Sequence, residues 1–227
     1  MLSKQNTKKF WLAVSAAVAA GVVYCSWPLG YYLNPVVSRR GLASELEALH
    51  QPYNWLFILL DVLSGVLVMA VAILLWRAHK DRLRRIILVN FALFGLLTIL
   101  DALMPMSCEP SLRACPSLSH QPLLILHGVV SIAASVCLFI SAVLVWWTRR
   151  RSSGSLVMSS LMAGWTLFGL VSLYFFFRPG PGYLAQHYYI TLCSIWVMLL
   201  PSMLRSKYAA SYRLQASLSP ASGPRKG

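Results

Sequence analysis

Residues 96–131 of the chain read LLTILDALMPMSCEPSLRACPSLSHQPLLILHGVVS. Two apolar segments flank a short polar loop that contains Cys108 and Cys115. Asp101 lies near the end of the first segment, and His127 lies about two helical turns into the second. This pattern predicts a pair of membrane-spanning helices. Because ionisable groups inside such helices are costly, the pair is also the first place to expect a functional site.

The rest of the chain repeats the same alternation of apolar segments and polar loops. Hydrophobic residues make up 58% of its 227 residues, and charged residues only 11%, whereas a soluble domain has about 25% charged residues. The apolar runs are about 20 residues long, which is enough to cross the roughly 30 Å hydrocarbon core of a bilayer. The composition therefore predicts an all-α polytopic membrane helical bundle, located as a multi-pass protein in the cell (inner or plasma) membrane.

Six apolar segments predict six transmembrane helices, which form a single domain over residues 10–204. Their approximate bounds are 10–33, 53–76, 86–104, 122–147, 155–177 and 183–204. Residues 1–9 form a polar N-terminus before the first helix. Residues 205–227 are rich in Ser, Pro, Gly, Lys and Arg, which predicts a disordered basic tail.

Positive charge is distributed unequally between the two sides of the membrane. Sixteen of the twenty Lys and Arg residues fall in the two termini and in the connections 77–85 and 148–154, which share one side if six helices alternate. Since basic loops remain in the cytoplasm, both termini are predicted to be cytoplasmic. The net charge of +14 is thus explained by topology. We expect no nucleic-acid partner, because no basic module lies outside the membrane.

The cysteines fall into two groups. Cys108 and Cys115 lie in a loop on the side opposite the termini, which is an oxidising space. The compartment therefore predicts a disulfide between them, with two free thiols as the alternative. Cys25, Cys137 and Cys193 lie in apolar segments and are predicted to be small packing residues.

The connection between the first two predicted spans, residues 34–52, carries charges of both signs. Ser44 is followed by Glu45 and Glu47, a spacing that is typical of a capped helix start. We therefore expect a short surface helix in this connection, with Ser44 as its cap.

Further polar residues are predicted to lie in the same half of the membrane as Asp101 and His127. Asp61 is about eight residues, or roughly 12 Å, inside the second span, and His187 lies near the outer end of the sixth. These four groups converge on the outer-leaflet half of the membrane. The candidates for ligand binding or proton relay are Asp61, Asp101, His127, His187 and Ser131.

Several functions remain compatible with this cluster. The first is binding or moving a lipid or small amphiphile through a pocket open to the outer leaflet, without a cofactor. The second is a metal-dependent intramembrane lipid hydrolase, in which Asp101, His127 and His187 would hold zinc. The third is a structural subunit of a membrane complex, in contact with another membrane protein or with a second copy of the chain. Whether the protein is an enzyme is therefore left open.

Two parts of the chain resemble a known family. The first part is carried by Asp101, Pro105, His127 and Ser131, with a polar loop between the second and third of these residues. The second is PYNWLFILLDVLSG at residues 52–65, which follows the first outer loop. Both are similar to the six-helix prokaryotic membrane proteins catalogued as domain of unknown function 998, and the likeness covers about residues 10–204. It implies a fold and a membrane location but no activity.

A weaker likeness is to the membrane hydrolases related to alkaline ceramidases. Those proteins gather histidines, an aspartate and a serine inside a helical bundle to hold zinc. The chain departs from them in having no His-x-x-x-His pair in its last predicted helix, and in having six predicted spans where they have seven. Catalytic zinc normally takes about three protein ligands, so this likeness implies a hydrolase only if the candidate ligands lie at one depth.

Overall fold

A computed structural model describes residues 4–109, 122–149, 155–176 and 182–205. The helices in these ranges are α1 (Lys4–Tyr24), α2 (Trp27–Leu33), α3 (Pro35–Arg40), α4 (Asn54–Trp76), α5 (Arg82–Ala102), α6 (Pro122–Arg149), α7 (Ser155–Phe176) and α8 (Gly182–Leu204). A short 3-10 turn, Ala43–Glu47, lies between α3 and α4. We call the end of the bundle that carries this turn the capped end.

The all-helical membrane fold is confirmed. Within the described ranges, α4 to α8 are each long and apolar enough to span a membrane. The pair α1 and α2 would form a sixth span, bent by 41°. The orientation of the termini stays a prediction, and the predicted disordered tail lies, from residue 206 onward, outside the described residues.

The bend in the first span has a local cause that the hydropathy pattern does not reveal. Pro28 has no backbone N–H, and its ring would clash with the carbonyl group of Tyr24 in a continuous helix. The helix accordingly ends at Tyr24, and α2 begins at Trp27 with the proline in its first turn. The segment predicted as one straight span is therefore two helices.

The long helices pack in an order that leaves one side of the bundle loose. α4 lies between α1 and α5, and α5 lies between α4 and α6. α8 packs against α1, and α7 packs along α8. α6 touches α7 and α8 over only a few residues. A buried apolar core that includes Val68, Phe91, Leu138 and Leu200 holds the helices together, but the space between α6 and α7 is not closed.

The connection between α2 and α4 folds into the bundle, so the prediction of a surface helix there is wrong. Leu46 packs with Val37 and Phe57, and Ala48 packs with Met106. Burial of these apolar side chains draws residues 41–48 inward, and Glu45 and Glu47 become buried with them.

The predicted cap at Ser44 is also wrong. The 3-10 turn follows Leu42, whose backbone N–H donates to Glu45 Oε2 at 2.9 Å. Gln186 of α8 holds the turn from the other side. Its Oε1 accepts from the N–H of Ala43 at 2.5 Å, and its Nε2 donates to Ser44 Oγ at 3.5 Å. The turn is therefore fixed to α8.

The predicted disulfide is not tested, because Cys115 lies outside the described residues. Cys25, Cys137 and Cys193 are free thiols. Cys193 is buried in the apolar core, as expected of a packing residue.

Candidate functional site

A cavity of about 510 Å³ lies between α6 on one side and α7 and α8 on the other. Sites for small molecules commonly have volumes of about 300–1,000 Å³. At the capped end the cavity is lined by Ser44 and Glu47, and at the middle of α6 by Ser135 and Phe139. It therefore runs from the capped end to about half the length of α6.

The cavity brings together four of the five candidate residues: Asp61, Asp101, His127 and Ser131 line it. His187 is not among its described lining residues. The His187 ring instead stacks on the indole of Trp27, with centroids 4.3 Å apart and planes inclined by 7°. Because Trp27 itself lines the cavity, His187 contacts the cavity wall only through its neighbour.

Asp101 is held by residues of α6. Ser131 Oγ donates a hydrogen bond to Asp101 Oδ2 at 2.6 Å. His127 Nδ1 lies 3.2 Å from Asp101 Oδ1 and 3.2 Å from the carbonyl oxygen of Met104, but only the second contact has hydrogen-bond geometry. Since a carbonyl oxygen can only accept, Nδ1 carries a proton; Nε2 is then an acceptor in a neutral ring and a donor in a charged one.

Two polar atoms of this group have no hydrogen-bond partner among the described residues. They are His127 Nε2 and Asp101 Oδ1. His127 is only 1% exposed, so water in the surrounding medium does not satisfy its free nitrogen. A buried polar atom without a partner is costly. The polar group beside the cavity is therefore not fully satisfied by the described residues.

The hydrogen bond between Ser131 and Asp101 predicts a difference between two serines one turn apart. Ser131→Ala should lower the unfolding free energy by about 1 kcal/mol, since it removes a bond between helices to a carboxylate. Ser135→Ala is the matched control, because Ser135 Oγ donates only to the Ser131 carbonyl of its own helix, at 2.9 Å. Thermal unfolding in micelles measures both. Equal unfolding midpoints for the two variants would show that the Ser131–Asp101 bond does not stabilise the fold.

Glu47 also lines the cavity, although the sequence analysis did not include it among the candidate site residues. It is 6% exposed, and its carboxyl group meets that of Asp61 at hydrogen-bonding distance. Burial raises the pKa of Glu47 well above its usual range, and the nearby carboxyl groups of Asp61 and Asp101 raise it further. Two carboxyl groups this close are most stable when they share a proton.

Other lining residues also escaped the sequence analysis. Aromatic side chains line the cavity from three helices and from the residues that join α1 to α2: Tyr24, Trp27, Trp165 and Tyr189. An aromatic residue inside an apolar helix gives no periodic signal, so only the three-dimensional arrangement identifies these four.

The side of the cavity between α6 and α7 is apolar and exposed. Its residues are Ile125, Val129, Ile132 and Val136 of α6 and Leu170 and Leu173 of α7. Each of them is 40–62% exposed. In a membrane these side chains would contact acyl chains. We call this apolar opening the lateral cleft.

The metal-ion alternative does not fit the part of the chain that the structure describes. In those ranges, no three His, Cys, Asp or Glu side chains are grouped so that they could hold a metal ion. Asp101 and His127 are neighbours, but His187 is stacked on Trp27. Since catalytic zinc takes about three protein ligands, we derive no step through a metal.

Comparison with protein families gives one match. The family described as "Protein of unknown function (DUF998)" matches residues 17–204. This range contains α2 to α8 and every described lining residue of the cavity. No curated protein and no solved structure matches the chain.

Proposed function

The chain belongs to the DUF998 family of proteins of unknown function, and we propose that it binds, or moves, a lipid or small amphiphile in the cavity beside α6. The observation that carries this proposal is the combination, in one cavity, of an apolar lateral cleft and a polar inner wall. An amphiphile has the same two parts. Its chain would lie in the cleft, and its polar group would reach Asp61, Asp101 and His127.

The size of the cavity favours a ligand over a purely structural role for the polar residues. Protein interiors are close-packed and contain few voids larger than a water molecule. A cluster that only held helices together would need no space of about 510 Å³ beside it. The cavity also extends to Ser135 and Trp165, near the middle of α6 and α7, which is where transporters commonly place their sites.

The charge distribution supports an orientation for this site. If both termini are cytoplasmic, the capped end faces the outside of the cell membrane. The lateral cleft then opens toward the outer leaflet, and membrane lipids are the nearest source of ligand. In this orientation Cys108 and Cys115 would also face the oxidising side, where the predicted disulfide can form.

Photolabelling of the protein in lipid nanodiscs tests the proposal. The probe is a dodecyl amphiphile with a diazirine in the middle of its chain. We expect adducts on the cavity-facing side of α6, around Ser135 and Phe139, which disappear when excess unlabelled amphiphile is added. Adducts that are confined to the outer surface of the bundle, and that do not respond to competitor, would contradict the proposal.

A further inference from the structure

The cavity concentrates negative charge in a strongly basic protein. Three of the six acidic residues of the chain line it: Glu47, Asp61 and Asp101. None of the twenty Lys and Arg residues is among the described residues that line it. In the described ranges, no Lys or Arg forms an ion pair with these three carboxyl groups. Among the described residues, the one cationic partner next to these carboxyl groups is His127, which contacts Asp101 and carries charge only when its ring is protonated.

Two residues that line the cavity have polar atoms without a hydrogen-bond partner in the described part of the chain. They are Asp101, with its Oδ1 atom, and His127, with its Nε2 atom. A phosphate or sulfate group would add further acceptors and negative charge to this wall. A positively charged group would instead be attracted to the carboxyl groups.

The aromatic residues of the cavity favour the same kind of group. Tyr24, Trp27, Trp165 and Tyr189 line the same cavity as the carboxyl groups. The face of an aromatic ring carries partial negative charge and attracts ammonium groups within about 6 Å. Carboxylates and aromatic faces together are the combination that recognises organic cations.

From these observations we infer that the ligand is a cationic amphiphile, whose ammonium group is held by Glu47, Asp61 and Asp101 while its chain occupies the lateral cleft. This inference rests on the proposed function. It specifies the charge of the ligand, which the cavity volume alone does not.

Binding of such a cation is coupled to release of a proton. Without a ligand, the Glu47 and Asp61 carboxyl groups face each other and share a proton. An ammonium group replaces that proton as the source of positive charge, and the proton passes to the solvent. The titratable groups that interact with the pair are Tyr24 from α1 and Asp101 from α5. His127 from α6 contacts Asp101, and Tyr189 and Cys193 from α8 interact with Tyr24.

The direction of the pH dependence follows from the state of these carboxyl groups. The ammonium group binds the ionised carboxyl groups, and burial keeps Glu47 protonated to higher pH than usual, since it raises the Glu47 pKa. Affinity for a permanent cation should therefore increase as pH rises and decrease on acidification. A neutral amphiphile with the same chain should show no such change.

Competition against the photoprobe of the proposed function tests this inference. The competitors share a dodecyl chain and differ in the head group: dodecyltrimethylammonium, dodecyl maltoside and dodecyl sulfate. At neutral pH the ammonium compound should compete at concentrations about tenfold lower than the maltoside, and this advantage should shrink at mildly acidic pH. Tetramethylammonium, which has no chain, should not compete at the same concentrations.

The pattern of competition shows whether the cationic head group, or amphiphile binding as a whole, is wrong. If all three dodecyl compounds compete equally, or if dodecyl sulfate competes best, the inference is overturned and the binding of amphiphiles stands. If none competes, both are overturned. If tetramethylammonium competes at the same concentration as dodecyltrimethylammonium, the inference is also overturned, because the dodecyl chain would then contribute nothing to binding.

Variants of the carboxyl pair give a second readout. In the double variant Glu47→Gln and Asp61→Asn, the ammonium compound should lose its advantage, so that it competes at about the same concentration as dodecyl maltoside. Asp81→Asn is the matched control, because Asp81 caps the N-terminus of α5 and does not line the cavity. An unchanged preference in a folded double variant would overturn the inference. The pH series on the unmodified protein tests it even if the double variant does not fold.

Discussion

Ile132→Trp should reduce competitor-sensitive photolabelling of the cavity by about tenfold or more. Ile132 lines the lateral cleft and is 45% exposed, so it lies at the opening and not in the packed core. An indole at this position would fill the gap between α6 and α7. Because the acyl chain must pass through that gap, the wider side chain blocks entry without touching the carboxyl groups.

Three further variants make this result interpretable. Val129→Trp, at a neighbouring position of the same cleft, should have the same effect. Ile132→Ala should retain labelling, because it widens the opening. Leu93→Trp is the matched control, since Leu93 is 41% exposed on α5 and does not line the cavity. If the Ile132→Trp protein is photolabelled as strongly as the Leu93→Trp protein and the unmodified protein, ligands do not enter between α6 and α7.

Gly65→Ala should lower the unfolding free energy by about 1–3 kcal/mol, because the added methyl group has no space. A Cβ atom at Gly65 would lie 2.5 Å from the carbonyl oxygen of Gly95 and 2.6 Å from Ile99 Cγ1. At Gly95 it would lie 2.7 Å from the Gly65 carbonyl oxygen. The obstacles include backbone atoms, which cannot rotate away, so α4 and α5 would have to separate.

Gly164→Ala is the matched control for this prediction. A Cβ atom at Gly164 would lie 3.6 Å from Leu192 Cδ1, which is an ordinary contact. Alanine favours a helix over glycine by about 0.8–1.0 kcal/mol, so this variant should be as stable as the unmodified protein or slightly more stable. Thermal unfolding in micelles compares the two. If Gly65→Ala unfolds at the same temperature as Gly164→Ala, the close packing of α4 on α5 is not required.

Much of the fold was predictable from the sequence because a bilayer imposes simple rules. Apolar runs of about 20 residues between basic loops leave few alternatives to spanning helices. The bend after Tyr24 was missed because hydropathy does not register the clash that Pro28 causes. The helix ends agree with the predicted spans to within a few residues at α4 and α8.

The candidate site was predictable only where neighbouring helices form it. Asp101 and His127 lie at facing ends of consecutive helices, so their proximity follows from the hairpin. Glu47 was missed because it lies in a polar connection, and its burial depends on how Leu46 packs in the folded chain. The cavity itself could not be predicted, because the space between α6 and α7 depends on how whole helices pack and not on the residues of any one segment.

His187 is a residue whose position along its helix was predicted but whose contacts were not. Its depth in the last helix placed it correctly near the capped end. Its neighbours could not be inferred, because the bend at Pro28 brings α2 over α8 and sets Trp27 against the His187 ring. A correct depth therefore did not predict which side chain it contacts.

The most direct test of the account is to locate the polar group of a bound amphiphile. The probe is a dodecylammonium compound with a diazirine next to its nitrogen, and its adducts on the protein in nanodiscs are mapped by mass spectrometry. We predict that competitor-sensitive adducts form on Glu47, Asp61 or Asp101. Adducts found only on lipid-facing residues, such as Leu93, would contradict the claim that this cavity holds the ligand.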